Sequence, residues 1–337
     1  MRQDSDSTVF IRVVVTPNFN ISATMGFVDP FRAANYLDGK NHFRWEFVSD
    51  SGGPCVSSNG ASLQTVRLSD ALGKDPDIVI VSSSWAPEYY AKSEVKNALR
   101  HWARRGVTIG GLDTGAFILA QSGLLNGRRA TVHYEHIDSF QELYPSIDVS
   151  ENLFVFDGNR ISCCGGSAAV DFGLHILQGI HGVALANAAA RYIFHTTLRE
   201  RGTPQQPEGS EPLGNLVPGS VKTAIRMMEE NLEEPVSIPE ICAQVGISHR
   251  QLDRLFSQYI KKTPTLYYRD IRLDRARGLV TQTEMAMSEV AVASGFTSQV
   301  HFSRAYHDRF GLPPTKDRVE GRVPFEFRAW PMHRKTS

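Results

Sequence analysis

The stretch SEVAVASGFTSQVHFSRAYHDRFGLPPTKDR, residues 288–318, decides the character of the last third of the chain. Val290 and Ala291 mark a short helical face, Gly295 breaks it, and Phe302, Ala305, Tyr306 and Phe310 mark a second face at helical spacing. The same pattern occurs upstream in residues 237–259. There Ile238, Ile241, Cys242 and Val245 precede a break at Gly246, and Leu252, Leu255, Phe256, Tyr259 and Ile260 follow it. A pattern that occurs twice is much harder to obtain by chance than one that occurs once. Two helix-turn-helix units predict two helices aimed at successive major-groove segments of duplex DNA.

Working outward, Ser237 followed by Glu240 makes a capping box, which places the start of the first unit. Ser248 caps the next helix and leaves His249, Arg250, Gln251, Asp253 and Arg254 on its first turns. The turn of the second copy is one residue longer, so its equivalent surface holds Ser298, Gln299, Val300, His301, Ser303 and Arg304. Arg and Gln make bidentate contacts to guanine and adenine, and Val meets a thymine methyl. Between the copies, residues 266–281 read as one connecting helix. Its Arg269, Arg272, Arg275 and Arg277 either reach phosphates or cover the apolar face with their stems, and the second use is favoured for most.

Net charge over the 337 residues is zero, which at first argues against a nucleic-acid partner. The distribution is uneven: from Gly219 onward there are 18 Lys+Arg against 14 Asp+Glu, and before it 18 against 22. The proline-rich run RGTPQQPEGSEPLGNLVP reads as a solvated tether over residues 201–218. The expected organisation is a sensing and dimerisation domain at 1–200, this linker, a DNA-binding domain at 219–320 and a tail at 321–337. No apolar segment follows Met1 and none approaches membrane-spanning length, so a soluble cytoplasmic protein with no membrane partner is expected. Four cysteines without CxxC spacing predict no disulfide and no zinc site, and neither cofactor nor metal is expected.

Upstream, β-branched runs at 10–15, 45–49, 78–82, 107–112 and 154–163, the last with a turn at Asp157-Gly158, alternate with amphipathic stretches. This predicts an α/β domain of flavodoxin-like arrangement, a mostly parallel sheet with helices on both faces, joined to an all-α domain. The run 107–112 leads directly into Asp113-Thr114-Gly115-Ala116 and an apolar helix, the layout of a nucleophile elbow with Asp113 at its tip. A carboxylate there is expected to be held as an anion by the helix N-terminus. Ligands of open α/β sheets bind beyond the carboxyl ends of the strands, which gathers Phe19, Trp85, Asp113, Thr114 and Cys163 as candidates, with His133 and Tyr134 beside them. A carboxylate with aromatic walls suits a cationic or quaternary ammonium group.

Residues 221–319, through "SIPEICAQVGISHRQLDRLF", "PTLYYRDIRLDRARGLV" and above all 288–318, resemble the AraC/XylS DNA-binding domain. One departure is Lys261, where that family usually ends the first reading helix with glycine; the second copy keeps Gly311. The segment "GGLDTGAFILAQSGLLNGRRATVHYEH" resembles the class I glutamine amidotransferase-like superfamily, in its intracellular-protease branch. There a cysteine holds position 113, and the acidic residue that enzymes place after the first strand has no counterpart in residues 21–27. With "VDPFRAAN" and "ISCCGGSAAVDFGLHI", the chain is similar nearly end to end to AraC-family regulators with an amidotransferase-like sensor. The resemblance implies a non-enzymatic homodimer that binds promoter DNA, meets RNA polymerase, and activates catabolic genes in response to a quaternary amine, amino acid or amide. The alternative is an amidase, protease or glyoxalase-like enzyme with an attached DNA-binding domain; a third is a domain that only dimerises.

Overall fold

The computed structural model describes residues 8–205 and 217–320; the expected tail at 321–337 and residues 206–216 of the expected linker lie outside them. The described residues form two compact units that divide after Gln205.

The first unit is built on an eight-stranded sheet. Its strands are β1 (Val9–Val15), β2 (Phe43–Ser49), β3 (Gly53–Val56), β4 (Ser62–Arg67), β5 (Ile78–Ser83), β6 (Thr108–Asp113), β9 (Phe154–Asp157) and β10 (Arg160–Cys163). They lie in the order β3-β4-β2-β1-β5-β6-β10-β9. A separate short pair joins β7 (Arg129–Ala130) to β8 (Asp148–Val149). The central pairings β2-β1-β5-β6-β10 are parallel, and both edges are antiparallel: β3 on β4, and β9 on β10 through the turn at Asp157-Gly158. β1 and β5 are buried at every position, as strands covered on both faces must be, which explains why they are apolar apart from Arg12 in β1 and the two serines that end β5.

Alternate residues feed two cores. Val13 and Ile80 face Phe27, Phe31 and Phe172 from α1 (Ile21–Asp38) and α6 (Ala168–His181). Val14, Val79 and Val81 face Leu99, Trp102 and Phe117 from α3 (Ser93–Arg104) and α4 (Gly115–Gln121). Each fully buried ring or branched chain contributes about 1.5–3 kcal/mol, so the register of β1 is strongly fixed: a one-residue slip would exchange the two cores. The short α2 (Leu68–Ala71), α5 (Ile137–Leu143) and α7 (Val183–Tyr192) complete the unit. The hairpin β3–β4 was not expected from sequence; it is a polar edge element, SLQTVR in its second strand, with no apolar run to announce it.

The described part of the second unit is helical: α8 (Gly219–Glu229), α9 (Ile238–Val245), α10 (His249–Tyr259), α11 (Pro264–Gln282), α12 (Met287–Ala293), α13 (Gln299–Phe310) and α14 (Pro314–Glu320). It has two cores: Val221, Met228, Ile241, Leu252 and Phe256 in one; Leu273, Leu279, Val290, Phe302 and Tyr306 in the other. α11 spans both, with Tyr268 in the first and Leu273 onward in the second. Among the described residues no helix is long and apolar enough to cross a membrane, and the cysteines Cys55, Cys163, Cys164 and Cys242 are free and buried.

Candidate functional site

The two helix-turn-helix units are built alike. Ser237 caps α9 by a reciprocal box, its amide donating to Glu240 Oε2 at 2.9 Å. Gly246 then adopts φ 75°, and Ser248 caps α10 through a second box with Gln251. In the second unit Glu289 accepts from the Ala286 amide at 2.8 Å, and Gly295 takes φ 71°. Gly295 has no room for a side chain: a Cβ there would lie 2.5 Å from the Leu232 carbonyl.

His249, Arg250, Gln251 and Arg254 are exposed on α10, with Asp253 half-buried beside them. On α13, Gln299, Val300, His301 and Arg304 are exposed, with Ser298 and Ser303 half-buried. Leu252 and Phe256 in one helix, Phe302 and Tyr306 in the other, are wholly buried, so each helix stands on its apolar face and offers these polar residues outward. Val300 is 73% exposed, an apolar group in water that a base-edge methyl would cover.

Two of the α11 arginines, Arg272 and Arg277, make contacts within the unit. Arg272 donates to the Gly295 carbonyl at 2.8 Å and lies over Phe296, while Arg277 pairs with the buried Asp317 at 3.0 Å. Lys261 adopts φ 63°, the left-handed state that glycine takes at Gly311 (φ 78°), and its ammonium caps the Gln258 carbonyl at 2.8 Å.

In the first unit β6 ends in a strained elbow. Asp113 holds φ 61°, a conformation that costs a non-glycine residue about 1–3 kcal/mol, and α4 begins two residues later. Neighbouring glycines make the turn fit: a Cβ on Gly115 would lie 2.0 Å from the Val81 carbonyl, and one on Gly165 would lie 2.9 Å from Asp113 Cβ. Asn20, the N-cap of α1, donates to Asp113 Oδ2 at 3.2 Å. Thr114 Oγ1 donates to the Ser84 carbonyl, and Thr16 Oγ1 to Ser83 Oγ at 2.9 Å.

The expected anion at Asp113 is corrected by its surroundings. Burial pushes the carboxyl up to about 7, and hydrogen bonds from Asn20 and Ser84 offset this only in part. Desolvation therefore outweighs the helix N-terminus, whose effect is at most about 2 kcal/mol. Cys163 is also fully buried and its thiol is raised well above the ordinary range, chiefly by desolvation, so it holds no thiolate.

Phe19, Thr114 and Cys163 have no exposed surface: Phe19 packs in the core, and all three support the site from behind rather than offering it a contact face. Trp85 is half-buried beyond the end of β5. His133 and Tyr134 stack at 4.6 Å, with Tyr134 47% exposed. Burial lowers the His133 pKa, which keeps the ring neutral at neutral pH. Sequence reasoning missed Asn20, Ser84 and Glu135. An Asn that caps the helix following the buried strand β1 was the available signal for the first. Glu135 is the charge that acts on Asp113 from a distance. The ligand atoms of His133, Glu135 and His136 lie within 4.8 Å of one another, a donor set able to hold a divalent cation. The cysteine-based expectation of no metal did not consider it; His133 Nδ1 accepts the Glu135 amide at 3.4 Å.

Comparison with known proteins follows this division. A helix-turn-helix domain model matches residues 241–319, and the DJ-1/PfpI family model matches residues 12–179. The HTH-type transcriptional regulator CdhR of Pseudomonas aeruginosa is 36% identical over 91% of this chain and 90% of its own. GbdR of the same species is 34% identical over 91% and 83%, and GlxA of Rhizobium meliloti 31% over 92% and 96%.

The chain belongs to the AraC-type transcriptional regulators that carry a DJ-1/PfpI domain.

The chain is also similar in fold to a solved AraC family transcriptional regulator from Pseudomonas putida, at 23% identity and a TM-score of 0.50 over 55% of this chain and 99% of that one. A ThiJ/PfpI family protein from Pseudomonas syringae gives 18% and 0.51 over 78% and 91%. In this AraC-type regulator the flavodoxin-like sheet thus carries a DJ-1/PfpI elbow with a carboxyl at its tip, and the helical unit is its DNA-binding part.

Proposed function

We propose that the chain is an effector-responsive regulator whose DJ-1/PfpI unit has exchanged catalysis for binding. One observation carries this: the elbow tip is Asp113, a buried, half-neutral carboxyl without a nucleophilic thiol, and the adjacent Cys163 is equally buried and protonated. A neutral carboxyl donates a hydrogen bond to a carboxylate or amide oxygen. Exposed Glu135 and the Tyr134 ring, beside it in sequence, suit an ammonium group. The effector class that fits both ends is a small nitrogenous metabolite: a quaternary amine bearing a carboxylate, an amino acid or an amide. The effector acts by binding one of two states more tightly. The regulator works as a homodimer on promoter DNA, in the cytoplasm, as an activator of catabolic genes through RNA polymerase. Two heads per chain and two chains per site supply a specificity that one head lacks.

Thermal-shift titration with trimethylglycine, glycine and glycinamide tests the reading: at least one raises the melting temperature of the wild type, and Asp113→Ala abolishes the rise. Absence of any shift, or turnover of amide or glyoxal substrates lost in Asp113→Asn, contradicts it. The carboxyl leaves a further mark. Its folded pKa lies above its unfolded one, so its contribution is complete below about pH 4 and is lost as pH rises toward about 7. Wild type therefore loses up to about 4 kcal/mol relative to Asp113→Asn across that window. Parallel stability curves for the two would show that the carboxyl is ionised throughout.

A further inference from the structure

The segment expected as a solvated tether from residue 201 is bound to the first unit as far as Gln205. Two attachments hold it, and they differ in kind. The first is Asp171, in the opening turn of α6 and without exposed surface. Its Oδ1 accepts from the Arg199 amide and from His195 Nε2, both at 2.8 Å, and its Oδ2 accepts from Arg199 Nε at 2.8 Å and Nη2 at 2.6 Å. His175, one turn along α6, bonds the Arg199 carbonyl at 2.8 Å. A buried carboxylate that accepts four hydrogen bonds, two of them from one guanidinium to Oδ2, is a firm fastening; opening it would strand a charge.

The second attachment lies six residues on. The Leu153 amide donates to the Thr203 carbonyl at 2.9 Å, Pro204 bridges to Asn152, and the Gln205 amide donates to the Glu151 carbonyl at 2.8 Å. The Gln205 side chain reaches inward: Nε2 lies 3.0 Å from Thr131 Oγ1, 2.9 Å from the Val132 carbonyl and 3.3 Å from the Asn152 carbonyl. Two amide hydrogens face three acceptors, and Gln205 Oε1 is buried without a partner among the described residues. A buried acceptor left unpaired costs stability, so this attachment is weaker than its bond list suggests.

Both supports of Gln205 also run into the Asp113 site. Thr131 and Val132 lead directly to His133, Tyr134 and Glu135. Leu153, which holds Thr203, accepts through its carbonyl from the Cys164 amide at 2.9 Å. Cys164 stands between Cys163 and Gly165, where a Cβ would lie 2.9 Å from Asp113 Cβ. The Asp113 site and the seat of Gln205 are thus joined by two short routes, residues 131–135 of the chain and the bond between Cys164 and Leu153.

We propose that residues 195–205 form a two-part strap, anchored at Asp171 and latched at Gln205, and that effector binding at the Asp113 site opens the latch and raises DNA affinity. The proposal rests on the effector reading above for its trigger. Opening frees residues 200–205 and adds about 20 Å of contour between the anchor and the start of the second unit. Coupling between sites of this sort is worth roughly 5- to 150-fold in affinity.

Full-length Gln205→Ala, with no small molecule added, opens the latch directly. Two measurements follow it: amide hydrogen exchange, and affinity for a duplex selected from a random library with the wild type. Exchange at Leu153 and Gln205 rises about tenfold while Arg199 stays protected, and DNA affinity rises about tenfold or more. Thr131→Val, which removes one acceptor, moves both in the same direction by less. Unchanged exchange at Gln205, or unchanged DNA affinity despite faster exchange, overturns the latch. If Gln205→Ala gives both effects and the compound panel gives no thermal shift, the latch stands and the effector reading falls.

Discussion

The two reading heads share one burial pattern along α10 and α13, position for position, yet they are secured differently. The first is held by local chemistry: two capping boxes, at Ser237 and Ser248, and an aromatic pair in which Phe256 meets Tyr267 edge-on at 5.8 Å. The second is held by a buried polar knot. Asp317, without exposed surface, accepts from Tyr306 Oη at 2.8 Å and Arg277 Nε at 3.0 Å; outside this knot, at the surface, Arg309 grips Asp274 at 2.6 Å. The Ser298 hydroxyl makes no cap. Both copies also use ion pairs, Lys262 with Asp270 at 2.6 Å beside the first and Arg309 with Asp274 beside the second, so the difference lies in the completeness of the caps and in the fully buried Asp317. The heads also offer different edges: a basic and amide face in the first, and a mixed face with exposed Val300 in the second.

The comparison can be broken in steps. Asp317→Ala removes the buried carboxylate that Tyr306 and Arg277 share and should cost about 3–5 kcal/mol, measured by urea unfolding of the full chain. A cost under about 1 kcal/mol would mean the knot is not what secures the second head. Arg254→Ala and Arg304→Ala should each weaken binding to the selected duplex by about 1–3 kcal/mol, without loss of stability. Ser248→Ala should cost about 1 kcal/mol of stability, whereas Ser298→Ala should stay within about 0.5 kcal/mol; equal costs would erase the distinction in capping. The smallest effect concerns the helix ends. Lys261→Gly should stabilise by up to about 1 kcal/mol and Gly311→Ala destabilise by a similar amount, because only glycine enters the left-handed state freely.

Much of this was legible in the sequence because it is local. Ser248, Gly246 and the apolar spacing specify a helix, its start and its break without reference to anything distant. The elbow was legible for the same reason: an apolar strand, Asp-Thr-Gly-Ala, then an apolar helix. What stayed hidden depends on residues far apart in the chain. Asn20 faces Asp113 across 93 positions, and it is depth in the fold, not sequence, that raises the carboxyl toward neutrality. Asp317 looked like one acid in a charged run, since nothing local says that Tyr306 and Arg277 enclose it. Residues 201–205 read as loop because Pro and Gly in RGTPQ signal one, while the acceptors that hold the Gln205 side chain lie 53 to 74 residues away.

The central claim is that α10 and α13 are two separate readers of one duplex. Selection of bound sequences from a random duplex library by wild type and by Arg304→Ala tests it most directly. The account predicts that Arg304→Ala relaxes the preference at one position in one segment of the site and leaves the neighbouring segment, read by α10, unchanged. Uniform loss across the whole site, or an unaltered preference at every position, would contradict it.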